Sequence, residues 1–370
     1  MLAAAVAAGC TRAPGPIVHG PPVFHNVSAT VIDSLPLLAT DNGRLVCLAE
    51  GTSPCPHLPA RATWLRDGRF ATWNRREAVE VWTPGQVDPM RLGDLGTADG
   101  QYRQPVSVGM AGGGYVVLDQ EERAVLFYTE HGRFQSSTVA PANTFVRAFG
   151  YAGPVAFVQL LRSVAPDSSA TLEVRAVDSP GDTVGHAILA VPLPWMHVVN
   201  GRPAGAMPVF AELPVFAIAP DSDIIWSDGA RLTVTRQGPD GSVRWRLNSD
   251  ATGVPLSPAI VSTIRHAMGA DTNATARASL DSSIAHSPAT LPAISSLLLA
   301  PDGEVLVVGF AAPNALDRPA YLLDATGLPI GRVAIPGAWT VLLHGGDSIL
   351  VQLAGANADL ELRWLTLKKP

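Results

Sequence analysis

The sequence predicts an all-β fold built from repeated four-stranded antiparallel meanders, and three observations point to it. The first is composition. The chain carries 34 glycines and 32 prolines with 47% hydrophobic and only 16% charged residues, the mixture that many short apolar strands joined by tight turns require. The second is a unit legible from end to end, Gly93 to Phe134. It has a glycine-rich lead-in to Gln101-Tyr102 and Pro105, an apolar strand, a turn at Gly112-Gly113-Gly114, a strand ending in Asp119, a third strand and a closing turn at His131-Gly132. The third is spacing. First turns lie 46 residues apart from Asp67 to Gly113, then 54 to Asp167, 54 to Asp221, and 44 from Asp302 to Gly346. Four-stranded units recurring at ~40–50 residues mark a β-propeller, here of six blades.

Taken in order, Val27 to Glu50 reads as two strands around Asp41-Asn42-Gly43, a partial blade of the kind that closes a propeller with a strand from the opposite terminus. The first whole blade runs from Thr63 to Pro84 and turns at Asp67-Gly68. In it Val79, Val81 and Thr83 share one face while Glu80 and Trp82 take the other, the period of a strand. The Gly93–Phe134 unit is second. The third spans about Thr144 to Val191, with strands at Pro154–Leu161 and Thr171–Val177. The fourth spans Phe210 to Leu247, turning at Pro220-Asp221-Ser222-Asp223 and Pro239-Asp240-Gly241. The fifth spans Ile294 to Ile335, turning at Pro301-Asp302-Gly303 and Ala325-Thr326-Gly327, and the last spans Trp339 to Leu367. One spacing is anomalous, 81 residues from Asp221 to Asp302. It contains Pro258 to Pro288, where strand formers thin out and Ile260, Ile264, Ala267 and Met268 fall at helical spacing, so a short helical insertion is expected there.

The net charge of −6 offers no electrostatic footprint for nucleic acid. After the N-terminus no apolar run approaches the roughly 20 residues that span a bilayer. The N-terminus itself reads MLAAAVAAGC, followed by Thr11-Arg12-Ala13-Pro14-Gly15-Pro16. It is too short and too poor in positive charge for a whole export signal, and reads as the tail of an apolar signal region. Ala7-Ala8-Gly9-Cys10 resembles the lipobox of bacterial lipoproteins, with Ala7 where that family most often has leucine. The resemblance implies diacylation of Cys10, removal of residues 1–9 and attachment to the cell envelope, periplasmic or surface-exposed. Residues 10–26 are then a Pro/Gly-rich tether and 27–370 the propeller. Cys47 and Cys55 flank a short turn-forming loop and could close a disulfide hairpin in an oxidising compartment, or remain thiols.

Gly96, Gly100, Tyr102, Pro105, the Tyr115–Leu118 strand, Asp119 and the Arg123–Phe127 strand together resemble an NHL-type repeat. The order of the whole chain is similar to the bacterial six-bladed β-propeller proteins, in which Asp-Gly blades are joined by a GxGxGxF-like lead-in. Here that lead-in reads Gly96, Ala98, Gly100 and Tyr102. The resemblance covers about residues 40–370 and is strongest over 62–135 and 291–367. It implies the fold; a shared activity does not follow, because propellers host unrelated functions.

No catalytic constellation stands out. Asp67, Asp221, Asp240 and Asp302 lie in turns, where their expected role is to hydrogen-bond nearby backbone. Asp119 is expected to satisfy backbone donors at a blade corner. The nine histidines are scattered and form no HExxH, and no G-x-S-x-G elbow occurs. Gly109 to Gly114 lacks the Gly-Lys-Ser/Thr ending of a phosphate loop. The eight tryptophans are expected to pack between blades, with Trp195-Met196-His197 in a link between blades as the best exposed-loop candidate. No cofactor is expected. The expected function is an envelope-anchored binding or scaffold module for a protein, peptide or glycan, touching the membrane through its lipid only. The alternative is a periplasmic hydrolase or lyase, which as a metal enzyme would gather several oxygen ligands around the channel.

Overall fold

A computed structural model of the chain describes residues 21–45 and 61–369, apart from 66, 75–77, 84–87, 112, 140–143, 153–154, 164–168, 178–186, 200–201, 205–207, 209, 211–213, 220, 222, 269, 271–272, 314 and 355–359. Among these residues lie six sheets of four or five strands and one two-stranded ribbon. The first sheet is Arg61–Trp64, Phe70–Trp73, Val79–Trp82 and Met90–Leu92. The second is Pro105–Ala111, Gly114–Asp119, Ala124–Tyr128 and Phe134–Val139. The third runs from Thr144–Ala152 through Val155–Arg162, Ser169–Val177 and Ala187–Val199 to the short Arg202–Ala204. The fourth comprises Val215–Ile218, Ile224–Ser227, Arg231–Gln237 and Val243–Thr252. The fifth comprises Ile294–Leu299, Val305–Gly309, Asp317–Leu323 and Pro329–Pro336. The sixth comprises Thr340–Gly345, Ser348–Ala354 and Leu360–Lys368, completed by Leu38–Leu45 from the other end of the chain.

The core lies between consecutive sheets. In the fifth sheet Val305 and Val307 pack with Ile225, Val234 and Leu247 of the fourth, whereas Leu306 and Val308 pack with Ile349, Val351 and Leu365 of the sixth. Alternate side chains of one strand thus fill two different interfaces, and the whole strand is buried. Leu350 of the sixth sheet points the other way, toward Trp64 and Phe70 of the first. Each sheet packs against the next in chain order, through its first strand in the second to fifth sheets and through Phe70–Trp73 in the first, and the first strand of the sixth packs back against the first sheet. This closed ring of radial antiparallel sheets is a β-propeller.

The N-terminal segment laces the outer edges of three sheets. Val23–Asn26 adds a parallel strand to Val243–Thr252. Helix α1 (Ala29–Asp33), capped by Ser28, places Ile32 in the core between the fourth and fifth sheets. Leu35 O accepts from Arg332 N at 2.8 Å, and Leu37 N donates to Arg332 O at 2.7 Å, which seats the buried Leu37 between the fifth and sixth sheets. Two expectations need correction here. Residues 23–26 of the expected tether are a paired strand, because the last strand of the fourth sheet leaves an edge that they cover. Asp41-Asn42-Gly43 is no hairpin turn: Leu38–Leu45 is one strand whose register on its partner shifts between Asp41 and Leu45, so the extra residues bulge without reversing the chain.

Candidate functional site

A meander of four antiparallel strands returns the chain to the end it started from. The turns after each first and third strand therefore share one face of the disc, the turn face. The loops after each second strand share the opposite face with the links between sheets, the loop face.

The turn face carries most of the acids singled out in the sequence, and their bonds are local. Oδ1 of Asp67, Asp221, Asp240 and Asp302 accepts from the backbone N–H two residues on, at 3.1, 3.2, 3.0 and 3.2 Å. These are the turn-forming bonds expected of them. Three groups extend further. Arg69 pairs with Asp67 and lies 5.2 Å over the Tyr115 ring. Arg236 spans Asp221 and the buried Asp223, whose other oxygen is 3.5 Å from Arg244 Nε. Lys369 bridges Glu304 (2.7 Å) and Asp347 (3.1 Å) between the fifth and sixth sheets.

Beside Glu304 lies His344, fully buried, its Nε2 3.7 Å from Glu304 Oε2. Neither ring nitrogen has a hydrogen-bond partner of good geometry. Burial pushes its pKa down from 6.5 to about 4, with the Lys369 charge adding to the effect and the carboxylates of Asp302 and Asp347 opposing it only in part. A histidine that titrates lower folded than unfolded contributes fully above the unfolded value, and the contribution is lost as pH falls toward the folded one. Between pH 6.5 and 4 the protein should lose about 3 kcal/mol that a His344→Leu variant retains. Urea denaturation of both proteins at stepped pH checks this, and parallel profiles would refute it. Sequence reading missed His344 and Asp223: the fifth and sixth sheets close over His344, and Arg236 and Arg244 on neighbouring strands of its own sheet cover Asp223.

On the loop face stand the elements that could meet a partner. The helical insertion is two helices, α2 (Pro258–Ala267) and α3 (Ala274–Ala285). Ser257 caps α2 with Pro258 in the first turn, and Asn273 caps α3 by accepting from Thr275 N and Ala276 N. Ile260 and Ile264 pack inward with Leu280, Ile284 and Phe210. Phe210 in turn meets Phe310 edge-on at 5.3 Å. The neck is closed by Leu256 N to Ala289 O (2.9 Å) and Leu291 N to Val254 O (2.8 Å). Arg265 and Asp281 pair at 2.6 Å across the helices. Met268, expected on the same helical stripe as Ile264, is 60% exposed, and Leu316, in the loop beyond Phe310, is 89% exposed.

The second unit also ends on this face, and its conspicuous residues prove to be structural. Asp119 is wholly buried and accepts from the backbone N–H of Arg103 (2.7 Å), Gln104 (3.1 Å) and Glu121 (2.9 Å). Tyr102 Oη donates to Leu92 O and accepts from Val79 N, both at 2.6 Å. Gly100, at φ +76°, lies where a Cβ would stand 2.7 Å from the Phe134 side chain. Tryptophans tie sheets together: Trp64 Nε1 donates to His344 O (2.7 Å) and Trp245 Nε1 to Ala325 O (3.0 Å). Met196 is buried, and Trp195-Met196-His197 lies within the strand Ala187–Val199, which pairs with two neighbours, and not in a link between sheets. Cys10, Cys47 and Cys55 lie outside the described residues. Among the described residues no three His, Cys, Asp or Glu side chains gather closely enough to hold a metal ion, and no helix is long and apolar enough to cross a membrane.

No family model and no curated protein matches the chain. Solved structures do. A Bacteroides vulgatus member of the DUF4221 family superposes with a TM-score of 0.51 at 9% identity, over 90% of this chain and 97% of the other. A Bacteroides fragilis protein described as exported gives 0.48 at 12% identity, over 94% and 99%. The Cps50 β-propeller domain of Myceliophteria thermophila gives 0.43 at 8%, over 90% and 100%. At these identities the likeness concerns the fold alone.

Proposed function

We propose that the protein is a binding module of the bacterial cell envelope: a six-bladed, NHL-like propeller lipoprotein, anchored through Cys10, that offers its loop face to a protein or peptide. The observation that carries this reading is the two-helix insertion. Its inward side is spent on Phe210 and the α2–α3 contact, yet it leaves Met268 in solvent on the face where Leu316 is also bare. Large apolar side chains left in water on the loop face suit a protein partner better than a glycan. The lipobox-like Ala7-Ala8-Gly9-Cys10 supports the envelope address.

Photocrosslinking tests the reading. A photoreactive amino acid in place of Met268 or Leu316, in cells expressing the full chain, should yield a discrete adduct. The same group in place of Asp67 on the turn face should not. Adducts from Asp67 alone, or from none of the three, would sink the reading.

A further inference from the structure

We infer that the outer edge where the N-terminal segment joins the disc is the surface that lies against a lipid bilayer, an inference that rests on the reading of Cys10 as lipidated. Three observations meet at this edge. The chain leaves the described structure here: Val23 pairs with Trp245 in the outer strand of the fourth sheet, at the end of that strand next to the turn face. Only twelve residues separate Cys10 from Val23, a reach of at most ~45 Å when fully extended. A lipid at Cys10 therefore holds this edge within ~45 Å of the bilayer surface.

The second observation is what the edge exposes. Val23 is 46% exposed, Leu38 63% and Leu328 48%. They come from three separate segments that the fold brings side by side. His25 Nε2 lies 3.0 Å from Thr326 O and Trp245 Nε1 donates to Ala325 O, which sets the Val23–Asn26 strand beside the turn holding Leu328. Leu37 N is bonded to Arg332 O in the strand that this turn opens, so Leu38 emerges along the same edge. Exposed apolar groups gathered from distant segments at the point where a lipid tether arrives suit shallow insertion into the headgroup and acyl boundary.

The third is direction. Val23, Leu38 and Leu328 all lie toward the turn-face end of their strands: Leu38 pairs with Lys368 at the foot of the sixth sheet, and Leu328 sits in the turn between the third and fourth strands of the fifth. Seating this edge on lipid turns α2, α3 and Leu316 away from the bilayer, so the face assigned to a partner is the face left free.

The test uses the full chain, lipidated at Cys10, in phosphatidylethanolamine–phosphatidylglycerol vesicles carrying nitroxide-labelled lipid. A dansyl-bearing amino acid replaces Leu38, Leu328 or Met268 in turn. Dansyl at Leu38 and Leu328 should be blue-shifted and quenched at least about twofold more than at Met268, as shallow insertion requires. Equal quenching at all three, or stronger quenching at Met268, overturns the inference. A blue shift at Leu38 without quenching also overturns it, because residues 11–20 or a second copy would then cover the edge. Mass spectrometry of the same preparation separates the two readings. Unmodified Cys10 defeats the anchoring and this inference together, whereas lipidated Cys10 with unquenched Leu38 defeats this inference alone.

Discussion

Deleting residues 1–45 is expected to abolish cooperative folding, while deleting residues 1–28 lowers the melting temperature but leaves a cooperative transition. The larger deletion removes the closing strand Leu38–Leu45, the added strand Val23–Asn26 and the buried Ile32 and Leu37. Burial of Ile32 and Leu37 alone contributes about 4 kcal/mol. Lost ladder bonds and two newly opened sheet edges add to that, so the total is comparable with the ~5–15 kcal/mol that holds a whole domain together. Circular dichroism melts of the two truncated proteins decide the matter. The smaller deletion costs less because it takes the Val23–Asn26 strand but spares both buried side chains. A cooperative transition in the chain lacking 1–45 would show that the strap is dispensable.

Asp119→Ala is expected to be among the most costly single substitutions, at about 3–5 kcal/mol. The carboxylate is wholly buried and takes the backbone donors of Arg103, Gln104 and Glu121. Alanine leaves those three part-buried donors without their acceptor, and each such loss costs up to about 1–3 kcal/mol. Asp119→Asn should cost less, because Oδ1 accepts from both Gln104 and Glu121 while Oδ2 serves Arg103; the amide oxygen can keep the first role. Urea midpoints of the two variants should therefore rank alanine below asparagine below wild type. Equal midpoints for asparagine and wild type would mean that the Arg103 bond contributes nothing.

The two expectations rest on different kinds of information. Asp119 was legible in the sequence because it ends a strand just before a turn, and the donors it serves lie nearby in the same unit. The turn aspartates Asp67, Asp221, Asp240 and Asp302 were legible for the same reason, each bonding two residues ahead. The helical insertion showed as a lapse in strand formers within an 81-residue interval. All of these are local: the residues that interact are close in the chain, so spacing and residue type carry the information.

The N-terminal strap and His344 were not legible. Nothing in Val23–Asn26 distinguishes a strand that pairs with residues 245–248 from a proline-rich tether, because its partner lies more than two hundred residues away. His344 resembles the other eight histidines until the fifth and sixth sheets close over it. Strands such as Val305–Gly309 show the limit most plainly. Their unbroken apolar run declares burial on both faces, but only the ring of sheets decides that Val305 and Val307 meet the fourth sheet while Leu306 and Val308 meet the sixth. What the sequence determined alone is the repeating meander and its turns, which short-range hydrogen bonding and backbone conformation dictate. What the tertiary structure decided is which sheets touch, which polar groups that contact buries, and which apolar side chains it leaves in water at the N-terminal edge and on the loop face, since these depend on long-range packing that no local pattern encodes.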